Sequence, residues 1–98
     1  MKRRDAIGAL REQADAIKAL GATSLYLFGS TSRDSASAAS DIDLFVDYDP
    51  GGRFSLIELV GIKQLLERRL GVAVDVTTRD SLDPFLKARI EASAERIF

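Results

Sequence analysis

Apolar residues recur at three- and four-residue intervals over residues 3–20, at Ile7, Leu10, Ala14, Ile17 and Leu20. That period predicts an amphipathic helix, with Gly21 placed to end it. The run SLYLF at 24–28 is short, apolar and aromatic, so it reads as a buried strand. DIDLFVDY at 41–48 alternates in character and stops at PGG, 50–52, as a second strand would. A helical period returns over 54–70 through Leu56, Leu59, Val60, Leu66 and Leu70, and Gly71 supplies a cap. VAVDVTT at 72–78 predicts a third strand from its β-branched content and alternation. A last helix is expected from the Asp83-Pro84 pair onward, through Phe85, Leu86, Ile90, Ala94 and Ile97, with Asp83 capping and Pro84 in the first helical position. The Ser/Ala-rich stretch 35–40 reads as a loop or a weak short helix. The order helix-strand-strand-helix-strand-helix predicts an α/β or α+β domain with a small mixed sheet covered by helices.

With 98 residues, the chain is expected to form a single domain, 1–98, too small for a separate substrate domain. No apolar run is long enough to span a bilayer and no signal peptide is expected, which together suggest a cytoplasmic protein. The chain has neither cysteine nor histidine. Thiol nucleophiles, Cys/His zinc sites and the commonest general base are thereby excluded, leaving carboxylates, hydroxyls and cations for any chemistry. A net charge of −1 lacks the basic excess of a protein that tracks a nucleic-acid backbone, which argues against a long polynucleotide partner.

The acids stand out against this background. Alternation puts Asp41, Asp43 and Phe45 on one face of the second strand, and Ile42, Leu44 and Val46 on the other. In the third strand Val72, Val74 and Val76 form the apolar face, with Ala73, Asp75 and Thr77 opposite. If both strands share one core, Asp41, Asp43 and Asp75 emerge together on the other face. Carboxylates within about 4 Å repel by roughly 4 kcal/mol per pair at an effective dielectric near 20, so the group calls for a cation. With oxygen ligands only, Mg²⁺ or Mn²⁺ is favoured, and two aspartates with room for water and phosphate suit Mg²⁺. Taken singly, each acid reads more readily as a solvated strand residue; together with the Gly29-Ser30 pair they favour the cation site. Gly29-Ser30 follows a strand, and its free N–H groups and hydroxyl can hold an anion such as phosphate, although most such pairs are turns. Arg33, three residues later, can serve the same phosphates or lie in solvent.

Gly29-Ser30, ten residues, then Asp41-Ile42-Asp43 resembles the GS-x10-DxD signature of the polymerase-beta nucleotidyltransferase superfamily. With Asp75 as a third acid and a closing L-x-P-x-L-x-x-R-I-like segment, nearly the whole chain is similar to its minimal nucleotidyltransferase branch. The resemblance implies a small mixed sheet with helices mainly on one face. It implies transfer of AMP from ATP with Mg²⁺, two ions being expected, to a hydroxyl by in-line displacement. By matching position, Asp41 and Asp43 would bind metal, Asp75 would complete the site and act as base, and Gly29, Ser30 and Arg33 would hold the triphosphate. Many such proteins are antitoxins of HEPN-domain ribonucleases, so the resemblance also implies a HEPN partner, with a tyrosine as acceptor. Asp34, where relatives often carry glycine, departs from the pattern and would repel a triphosphate unless turned away. Other readings are a binding antitoxin without catalysis, a small-molecule nucleotidyltransferase of the aminoglycoside type, and an oxygen-ligated metal hydrolase. The apolar helix stripes suit a core, and also a homo-oligomer or partner interface.

Overall fold

A computed structural model describes residues 2–28 and 42–98. The elements run α1 (Arg3–Glu12), α2 (Ala14–Ala19), β1 (Ala22–Phe28), β2 (Ile42–Tyr48), α3 (Leu56–Leu70), β3 (Val74–Thr78), a single 3₁₀ turn (Arg79–Ser81), α4 (Lys87–Ser93) and β4 (Glu95–Arg96). The four strands form one mixed sheet in the order β3-β2-β1-β4. β1 pairs antiparallel with β2 and β4, while β2 and β3 run parallel across the α3 crossover.

Alternation decides which side of the sheet is the core. Leu25 and Leu27 of β1, Ile42, Leu44 and Val46 of β2, and Val74 and Val76 of β3 are buried together with Ala6, Leu10, Ile17, Ile62, Leu66 and Leu70 from α1, α2 and α3. One side of the sheet is therefore the three-helix side, and polar and aromatic residues occupy the other.

Two predicted helices differ from the structure. The first breaks at Gln13 (φ −97°, ψ 7°), whose N–H reaches back three residues to Leu10. Leu10 and Ile17 on either side of the break both stay buried, so one apolar stripe serves two helices. The last helix is shorter than its apolar spacing suggested. Asp83 organises a turn, accepting from the Phe85 N–H at 2.9 Å, and α4 spans only Lys87–Ser93. Ala94 is extended (ψ 145°), and the chain then pairs with β1: Ile97 N–H donates to Leu25 O at 2.8 Å and Leu25 N–H to Phe98 O at 3.1 Å. Ile97 is buried as a strand neighbour, whereas Phe85, assigned to the helix stripe from sequence, is 95% exposed. In α3 the buried positions are Ile62, Leu66 and Leu70, and Leu56 faces solvent.

Both helix-ending glycines adopt the conformation the sequence suggested. Gly71 is left-handed (φ 73°), with its N–H on Glu67 O. Gly21 (φ 110°) ends α2 and passes so close to Phe54 that a β-carbon there would lie 3.1 Å from the ring.

Candidate active site

The parallel register of β2 on β3 pairs Asp43 with Asp75. Register partners in adjacent strands share a face and stand about 4.8 Å apart along the hydrogen-bonding direction, so the two carboxylates leave the sheet side by side. They do so on the face away from α1–α3, because their chain neighbours Ile42, Leu44, Val74 and Val76 fill the core. Asp43 is half-buried and Asp75 exposed. On the other flank of Asp43 its register partner is Phe28, so one row across the sheet reads Phe28, Asp43, Asp75. Asp41, Gly29, Ser30 and Arg33, together with Asp34, lie outside the described residues.

This face is not uniformly open. Phe45, two residues beyond Asp43, is fully buried there. It stacks on Tyr26, its register partner, at 4.8 Å between ring centres, and meets Phe28 at 5.7 Å. Arg79 roofs the pair, its guanidinium 4.9 Å from each of the two ring centres. That guanidinium forks onto Asp47, with Nε–Oδ1 at 2.7 Å and Nη2–Oδ2 at 2.9 Å, and its Nη1 reaches Glu91 of α4 at 2.7 Å. Hydrogen bonds to Asp47 first, and then to Glu91, push its pKa up beyond the ordinary arginine value. The result is a charged aromatic wall at the far end of the strands that carry the two acids.

Sequence reasoning missed this wall. Asp47 follows Asp43 and Phe45 on the same face by simple alternation, which is a usable signal. Arg79 and Glu91 come from other elements, and no local spacing predicts their meeting. Also missed is a pair on α3: Lys63 and Glu67 are joined at 2.8 Å, and both bond to the backbone of Val74, the residue before Asp75. Their i, i+4 spacing was the available clue.

Two adjacent carboxylates in a chain without histidine or cysteine offer only hard oxygen donors, the ligand chemistry of Mg²⁺ or Mn²⁺. They fit such an ion when water and phosphate oxygens complete its shell. Among the described residues no group of three or more acids is assembled for a metal.

The mixed sheet thus carries the Asp43–Asp75 pair on the face away from α1–α3. Residues 10–97 match the nucleotidyltransferase-domain family, and the chain belongs to it. Among curated proteins, it is 45% identical over 64 residues to a Methanocaldococcus jannaschii protein provisionally named a protein adenylyltransferase, covering 65% of this chain and 67% of that one. A second protein of that organism with the same provisional name is 37% identical over 70 residues, covering 69% and 68%. The solved structure of a protein described provisionally as a minimal nucleotidyltransferase superposes with a TM-score of 0.67 at 30% identity, over 97% of this chain and 95% of that one. A Shewanella oneidensis complex of a tri-AMPylated HEPN toxin with its MNT antitoxin matches with a TM-score of 0.63, over 90% of this chain and 68% of that one. Its 20% identity shows a shared fold. The protein is an enzyme of the nucleotidyltransferase class. No helix among the described residues is long and apolar enough to cross a membrane.

Proposed function

We propose that the protein transfers AMP from ATP to a hydroxyl of a partner protein, and that Asp43 and Asp75 sit at the reacting centre. The observation that carries this reading is the Asp43–Asp75 register pair, two carboxylates set side by side on the sheet face that the three core helices leave free. Asp43 and Asp75, with Asp41, would hold Mg²⁺, with two ions the fullest complement. Bound there, the metal would neutralise phosphate charge and stabilise the leaving pyrophosphate. Gly29, Ser30 and Arg33 are the proposed triphosphate cradle. The acceptor oxygen attacks the α-phosphorus, the bond to the β-phosphate bridging oxygen breaks, and pyrophosphate leaves. Asp75 is exposed and so can be approached by a partner's hydroxyl. Its carboxylate takes the hydroxyl proton. Histidine is absent, which leaves a carboxylate as the base.

The provisional protein adenylyltransferase names of the relatives support a protein acceptor, and the complex of an AMPylated HEPN toxin with an antitoxin of the same fold supports a HEPN-domain partner; a tyrosine as the receiving residue is part of the proposal. The test is incubation with ATP labelled on its α-phosphate, Mg²⁺ and a co-purifying or neighbouring-gene HEPN protein. Label should move to that protein, and Asp43→Asn or Asp75→Asn should slow transfer by about a hundredfold or more. Neutralisation of the partner that survives both substitutions would mark the protein as a binding antitoxin instead. Label on an aminoglycoside without any protein acceptor would redirect the reading to small molecules.

A further inference from the structure

Asp75 sits on a strand with an awkward position in the sheet. β3 is five residues long and lies at the edge of the sheet, and among the described residues it pairs with β2 alone. Strand registers are fixed chiefly by burial of one face, and a shift by two residues keeps that face buried. Such a shift would nonetheless carry Asp75 about 6.6 Å along β2, away from Asp43. Something besides alternation must set the register.

The contacts around Val74 bear on this. Backbone groups of successive residues in β3 point alternately toward β2 and away from it: Ala73 O accepts from Ile42 N–H on the sheet side, and Val74 faces α3. Where a further strand would have paired, Val74 N–H donates to Glu67 Oε2 at 3.0 Å and Val74 O accepts from Lys63 Nζ at 2.8 Å. Lys63 and Glu67 are themselves joined at 2.8 Å, so one ion pair takes both polar groups of the residue preceding Asp75. At the other end of the strand, Arg79 forks onto Asp47 of β2.

We propose that Lys63 and Glu67 are positioning residues for the transfer reaction: by gripping both backbone groups of Val74, they hold β3 in the register that sets Asp75 opposite Asp43. The inference rests on the active-site reading above. Neither residue touches substrate. They act through the backbone of Val74, as outer partners of metal-binding groups do, whose loss typically costs about 10- to 100-fold in affinity or activity.

The experiment compares wild type with Glu67→Ala, Glu67→Gln and Lys63→Met, all at a temperature where thermal melting shows each to be folded. Glu67→Ala should lower kcat about tenfold or more with KM for ATP little changed, and should weaken Mn²⁺ binding to the protein by a similar factor. In the metal-free protein, amides of β3 should exchange with deuterium faster while those of β1 and β2 stay as they were. Glu67→Gln should recover a large part of each loss, because its amide oxygen still accepts from Val74 N–H. Lys63→Met, which removes only the carbonyl's partner, should show a smaller version of all three effects. Unchanged Mn²⁺ binding and kcat in folded Glu67→Ala overturn the inference, as does a Gln variant no better than Ala with losses that follow the unfolded fraction. A wild type that neither binds Mn²⁺ nor transfers label overturns the active-site reading and this inference with it. An active wild type with indifferent variants overturns the grip alone.

Discussion

Glu67 shows how one side chain's charge serves the backbone. The Lys63 ammonium, followed by the Val74 N–H, holds its carboxyl below the ordinary value of 4.5. A carboxyl depressed in the folded state adds stability that is complete above its unfolded pKa and is withdrawn as pH falls through the folded one. Wild type should therefore lose more melting temperature than Glu67→Gln between about pH 5 and pH 3, which thermal scans across that range will read. Tyr48 carries the opposite shift: its hydroxyl donates to Asp80 at 2.7 Å, and that bond raises the phenol above 10.0. Asp80 is lowered in turn, first by the Thr78 hydroxyl and then by Tyr48. In Asp80→Asn the phenol should titrate closer to its usual value, seen as an earlier rise in tyrosinate absorbance.

At the scale of elements, the ends are written more plainly than the interiors. α3 begins with Ser55-x-x-Glu58, where Ser55 Oγ accepts from the Ile57 N–H at 3.3 Å and Glu58 accepts from the Ser55 N–H at 2.8 Å. Replacing Ser55 by alanine should cost about 1 kcal/mol, or about 4–8 °C of melting temperature for a domain of this size. Gly71→Ala should cost about 1 kcal/mol for the left-handed backbone alone. Gly21→Ala should cost more, because its added methyl also meets Phe54. Chemical denaturation of the two variants side by side checks that order. The positions of β1, β2 and β3 and the helix-ending glycines were legible because alternation and left-handed caps are local properties. The break at Gln13 was not, since no proline or glycine marks it and the apolar stripe runs through it. The end of α4 was hidden for a related reason. Ile97 satisfies a helical interval and a strand position equally well, and only the free edge of β1 decides between them.

For the whole molecule, the decisive facts are contacts between distant segments. That Asp43 and Asp75 share a face followed from alternation and a common core. Their register did not, because it depends on the crossover through α3 and on the Val74 contacts. The wall of Arg79, Asp47 and Glu91 over Tyr26 and Phe45 joins β1, β2, α4 and the turn after β3, and lies beyond any spacing rule. α4 buries none of its own residues, so Glu91 is a principal tie between it and the rest. Arg79→Met should leave the sheet folded and loosen α4, making residues 82–93 more open to limited proteolysis than in wild type, with far-ultraviolet dichroism little altered.

The pairing of residues 95–98 with β1 bears on synthesis. Among the described residues, the flank of β1 opposite β2 is paired by residues 95–98 alone. Chains stalled or clipped before residue 95 would present that flank to one another, and should clump where the longer chain remains dispersed.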